Sequence, residues 1–159
     1  MIRIGLLCAT ISLLMGCSNE QDAVYEDNPE LKAVESETEQ VSVFHLQTGD
    51  CLIGTVGESV SDMDKIECSK PHLFEVYFTF NLPGGAFPGD AAIEEQADTR
   101  CQAEFEPFVG KSFEESVLTF NRLTPTADGW VRGKDREVIC MIQKMDDTPR
   151  TGSAKRSGI

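Results

Sequence analysis

Cations, histidines and tryptophan are all scarce in this chain. Fourteen Lys and Arg stand against 27 Asp and Glu in 159 residues, for a formal net charge of −13. Such a surface offers no basic patch to displace counterions, which argues against nucleic acid and against electrostatic adhesion to anionic lipid. Only two histidines are present, His45 and His72, and no Cys-x-x-Cys pair accompanies them. No metal site and no cofactor is therefore expected. No Gly-x-Ser-x-Gly turn exists to raise a nucleophilic serine, and Ser69 is the one hydroxyl close to His72. A hydrolase is accordingly a remote alternative, and no catalytic residue is assigned. The longest apolar stretch, Ile4 to Met15, has about a dozen residues where a membrane-spanning helix needs about 20.

That stretch follows Met1-Ile2-Arg3 and precedes Gly16-Cys17-Ser18, the layout of a secretory signal peptide over residues 1–16. Leu14-Met15-Gly16-Cys17 also looks like a bacterial lipobox, in which the cysteine becomes the acylated first residue. Cys17 is the expected lipidation site. The mature chain would then sit on a membrane by its acyl chains, outside the cytoplasm. Either the outer face of the cell membrane or the periplasmic face of an outer membrane would fit, and Ser18 permits the latter. Removing residues 1–16 takes away Arg3 and brings the formal charge from −13 to about −14.

Residues 17–41 carry Glu20, Asp22, Glu26, Asp27, Glu30, Glu35, Glu37 and Glu39 against Lys32 alone. Self-repulsion and few apolar residues predict a disordered tether with a reach on the order of 25–30 Å. Residues 147–159 hold Pro149, Gly152 and Gly158 without apolar periodicity and read as a disordered tail.

Between them, residues 42–146 contain all nine Phe and make one domain of ordinary size. Phe74, Val76, Phe78, Phe80 and Leu82 alternate with Glu75, Tyr77, Thr79 and Asn81, the period of a half-buried strand. Ile93, Ala97, Cys101 and Phe105 recur every four residues and predict an amphipathic helix, with Asp90 as N-cap and Pro107 and Gly110 as the stop. Val117–Phe120 is a shorter strand. Arg136–Lys144 is apolar on both faces and should sit centrally. Segments 49–57 and 63–68 supply weaker strands. The expectation is an α+β fold, a mainly antiparallel sheet covered by one helix.

Without Cys8 and Cys17, four cysteines remain in a compartment that permits disulfides. Three pairings are possible. Packing the helix on the sheet favours Cys101 with Cys140 and leaves Cys51 with Cys68. Closing loops of these lengths would stabilise the fold by about 4 and about 3 kcal/mol.

Gly49-Asp50-Cys51, Cys68-Ser69-Lys70-Pro71-His72 with Glu75-Val76, Phe87-Pro88-Gly89-Asp90, Cys101 with Phe105 and Val109-Gly110, and Pro125-Thr126 with Trp130, Gly133, Asp135-Arg136 and Cys140 together resemble the septum-formation domain. The resemblance covers roughly residues 46–144. It implies an extracytoplasmic module of bacterial lipoproteins and membrane proteins, with the four cysteines at the family's disulfide positions and no established catalytic activity or ligand. The expected function is a lipid-anchored binding module in septum or envelope assembly, contacting an unknown envelope protein or ligand. The alternative is a structural envelope lipoprotein without a specific partner. Trp130 and His72 are the possible recognition residues, against a bland reading of Trp130 as a lid on the core and of His72 as a turn-fixing hydrogen bonder.

Overall fold

Glu137–Lys144, apolar on both faces, lies inside a six-stranded antiparallel sheet. A computed structural model describes residues 28–54 and 60–159. In chain order the strands are β1 (Glu39–Ser42), β2 (Cys51–Ile53), β3 (Asp62–Ile66), β4 (Phe74–Asn81), β5 (Leu118–Leu123) and β6 (Glu137–Lys144), with α1 at Pro29–Val34 and α2 at Asp90–Val109. The spatial order is β1-β3-β2-β4-β6-β5. β6 pairs with both β4 and β5, so Val138, Cys140 and Ile142 serve one core layer while Ile139 and Met141 serve the other. The expected α+β class holds. Among the described residues no helix is long and apolar enough to cross a membrane.

α2 buries Ile93, Ala97, Cys101, Phe105, Phe108 and Val109 against the Val138–Cys140–Ile142 side. Its ends differ from the expectation. Gly89 is the N-cap, with φ +96°, and Asp90 is already the first helical residue. Pro107 lies within the last turn, where packing of Phe108 and Val109 carries the helix on to Gly110, whose φ of +82° ends it.

The alternating strand also departs from expectation. Val76 pairs with Met141 and Phe78 with Cys140, so one extra residue, Tyr77, is accommodated by a bulge in β4. Phe74 and Val76 stay in the layer away from α2, whereas Phe78 and Phe80 pack half-buried on the α2 side. There the Arg100 guanidinium lies 5.7 and 5.2 Å from their ring centroids. Period two describes the backbone on either side of the bulge but not one continuous face.

The predicted tether is corrected over residues 28–41. Asn28 Oδ1 accepts from the Glu30 and Leu31 amides at 3.0 and 3.3 Å, and Pro29 follows at the first helical position. The helix so started brings Leu31, fully buried, and Val34 into the layer opposite α2. Burying a side chain such as Leu31 contributes about 1.5–3 kcal/mol. β1 then pairs with β3 from Glu39↔Lys65 to Ser42↔Asp62. The acidic side chains sit on the outer surface while the two apolar ones are used in the core, so net charge alone misjudged the segment. The signal peptide, Cys17 and the tether up to residue 27 lie outside the described residues, as does the 55–59 part of the first weak strand.

The predicted tail is corrected as well. His72 and Arg150 exchange two backbone hydrogen bonds of 3.0 Å, and the Gly152 amide donates to the Cys68 carbonyl at 2.6 Å. Ala154 is fully buried. The amides of Arg156 and Gly158 donate to the carbonyls of Phe108 and Val109 at 2.8 and 2.9 Å, satisfying the end of α2. A segment without periodicity is here an irregular strap, fixed by hydrogen bonds that no composition rule registers.

Candidate functional site

Register brings the chemistry-bearing residues together. Cys51 of β2 lies directly opposite Glu75 of β4, and cross-strand neighbours share a face. His72 sits three residues before Glu75, at the point where the C-terminal strap pairs with the chain. One ligand atom each from Cys51, His72 and Glu75 lies within 4.8 Å of the other two, and all three residues are buried.

Three donors converge on Glu75. Its carboxylate receives an ion pair from Arg150 Nη2, a hydrogen bond from the Ser153 hydroxyl and one from the Ala154 amide at 2.8 Å. The side chains of Arg150 and Glu75 are 8% and 1% exposed, so this pair stands in low dielectric and depends on those added hydrogen bonds. Burial lowers the Arg150 pKa, and the neighbouring Glu75 carboxylate opposes that shift.

His72 is fully buried. Its Nδ1 lies 2.8 Å from the Lys70 carbonyl oxygen, which can only accept, so Nδ1 carries the proton. Nε2 has no partner. Burial is the main cause that lowers the ring's pKa; the Lys70 bond and the Glu75 charge oppose it, and the Arg150 charge adds to it. An unfolded histidine titrates near 6.5 and the folded ring takes its proton only at lower pH, so below 6.5 the unfolded chain binds more protons. This contribution is complete above 6.5 and is lost as pH falls toward the folded pKa. Thermal melts between about pH 6.5 and 5 should lose stability more steeply for the native protein than for His72→Asn, whose amide keeps the Lys70 bond; equal slopes would contradict the account.

The disulfides pair as expected, Cys51–Cys68 with Cα atoms 5.2 Å apart and Cys101–Cys140 at 5.6 Å. Above the second bridge, the Tyr77 hydroxyl donates to the Cys101 carbonyl at 2.6 Å, and burial, with Glu104 nearby, pushes its pKa up.

Both recognition candidates are corrected by burial. Trp130 is 3% exposed. Its indole Nε1 donates to the Gly85 carbonyl at 3.0 Å, Phe87 meets it edge-on at 6.0 Å, and the Arg136 guanidinium lies 3.7 Å from its ring centroid. It is the lid, clamped by Arg136, which also donates to the Trp130 carbonyl at 2.9 Å. His72 likewise has no surface to offer a partner, and its Lys70 bond fixes the turn as the bland reading had it. Sequence reasoning missed Glu75 and Arg150 as a unit. The available signal was a lone carboxylate inside Leu73-Phe74-Glu75-Val76-Tyr77, which on a strand buried on both faces requires a partner.

Comparison with known proteins adds the following. The family described as Septum formation matches residues 48–158. Two relatives, each named "Putative lipoprotein LppN", come from Mycobacterium tuberculosis and Mycobacterium bovis; each is 30% identical over 118 residues, covering 71% of this chain and 64% of the relative. The chain thus spans just under two thirds of those relatives' length. No solved structure matches it.

Proposed function

We propose a function on the premise that the chain belongs to the septum formation family: it is an envelope lipoprotein whose domain acts by binding, in septum or envelope assembly. The relatives' name, lipoprotein, supports carrying the acyl anchor over to Cys17. The observation that carries the binding reading is where the polar chemistry goes. His72, Glu75 and Arg150 are turned inward and tie the strap to the sheet, so the Glu75–Arg150 ion pair and the His72–Arg150 backbone bonds hold the domain together. Outward, Val117 and Met145 are each 55% exposed and lie opposite one another, the Met145 amide donating to the Val117 carbonyl. Neighbouring exposed apolar side chains suit a contact surface.

Crosslinked pull-down from intact envelopes tests the reading, comparing the native protein with Cys17→Ala. Septal or wall-assembly proteins should be recovered with the native form and depleted with the variant. Recovery of nothing specific would favour a purely structural lipoprotein. Turnover of an envelope substrate that His72→Ala abolishes would replace binding with catalysis.

A further inference from the structure

The His72 ring is presented in the manner of a metal ligand. Its Nδ1–H is held by a backbone carbonyl, which fixes the tautomer and leaves Nε2 as a bare, buried lone pair. A buried lone pair of this kind is a donor atom ready for a ligand. A nitrogen of this ring, the Cys51 sulfur and a Glu75 oxygen lie within 4.8 Å of one another. In the oxidised protein the Cys51 sulfur is bonded to Cys68 and carries no charge, which removes it as a ligand. Cys68 is the accessible half of the bridge: it is partly exposed whereas Cys51 is fully buried.

We propose that reductive opening of Cys51–Cys68 converts this cluster into a tetrahedral site for a zinc-class divalent ion, held by the Cys51 and Cys68 thiolates, His72 Nε2 and a Glu75 oxygen. A dithiol reductant supplies two electrons. One of its thiolates attacks the Cys68 sulfur, the S–S bond breaks and Cys51 leaves as a thiolate. The reductant's second thiolate then attacks the mixed disulfide, releases the Cys68 thiolate and departs as a disulfide. The ion takes the place of the protons that the two thiols would otherwise hold.

Charge and reach both fit. Two thiolates and Glu75 give three negative charges, and Arg150 with a divalent ion gives three positive ones, so the buried set is neutral. Sulfur, nitrogen and oxygen ligands around tetrahedral zinc lie about 3.4–3.8 Å apart, so a contraction of about 1 Å closes the Cys51, His72 and Glu75 part of the site, and the Cys68 sulfur, outside that set, has to swing in once the bridge is open. The Cys101–Cys140 bridge, fully buried at both ends, stays intact to hold α2 on the sheet.

Cobalt(II) is the probe. The detergent-solubilised lipidated protein is reduced with a phosphine, freed of reductant under nitrogen and titrated. The reduced protein should bind one equivalent with thiolate charge-transfer absorption and tetrahedral visible bands, and the oxidised protein should show neither. His72→Asn keeps the Lys70 hydrogen bond and lacks the ligand nitrogen, so it should bind at least about tenfold more weakly. Binding that is no tighter after reduction, or full affinity in His72→Asn, overturns the proposal. So does a reduced protein that loses its far-ultraviolet circular dichroism and does not regain it with cobalt.

Discussion

Deleting residues 147–159 is expected to abolish cooperative folding. The deletion removes Arg150, the Ser153 hydroxyl and the Ala154 amide together, leaving the Glu75 carboxylate buried with no partner. Breaking a buried pair in this way costs about 3–5 kcal/mol, against a total stability of about 5–15 kcal/mol for a domain. The same deletion strips the pairing from His72, uncovers the core beside Ala154 and frees the Phe108 and Val109 carbonyls at the end of α2. These losses add to the first. Circular dichroism and limited proteolysis of the truncated protein would read the outcome directly. A cooperative melt within a few degrees of the native protein's would mean that the strap is dispensable.

The second large effect is confined to one pair. Glu75→Ala should destabilise the domain by about 3–5 kcal/mol, because the Arg150 guanidinium would remain in the core uncompensated. Glu75→Leu with Arg150→Met should be much less damaging than either single change, since two apolar groups need no mutual partner. Denaturant midpoints for the two singles and the double make the thermodynamic cycle. If the two changes simply add, the carboxylate and the guanidinium do not act as a unit.

What could be read from the sequence was local and periodic. Ile93, Ala97, Cys101 and Phe105 mark one face of α2 at helical spacing, and Val138, Cys140 and Ile142 one face of β6, so the Cys101–Cys140 bridge follows from laying one on the other. What could not be read depends on partners far along the chain. Glu75 meets residues 75 to 79 positions away, and no spacing rule links them. The bulge at Tyr77 is invisible in a run that alternates without interruption, because only the pairing with β6 shows the extra residue. Leu31 and Val34 stand as isolated apolar residues among acids, and the Asn28–Pro29 cap starts a helix of only six residues, too short to show a period in the sequence. Trp130 was legible as a lid once Arg136 was known to stack on it, a contact six positions away in sequence but made across an irregular turn.

The fixed position of α1 also sets a leash. From Cys17 to Asn28 there are eleven residue steps, and even a fully extended chain covers at most about 36–40 Å over them. Had the folded body begun at Ser42, twenty-five steps would have allowed about 83–90 Å. With Leu31 and Val34 drawn into the core, the acyl anchor proposed at Cys17 would restrict the domain to a shell near the lipid headgroups, and any partner would have to come down to that height.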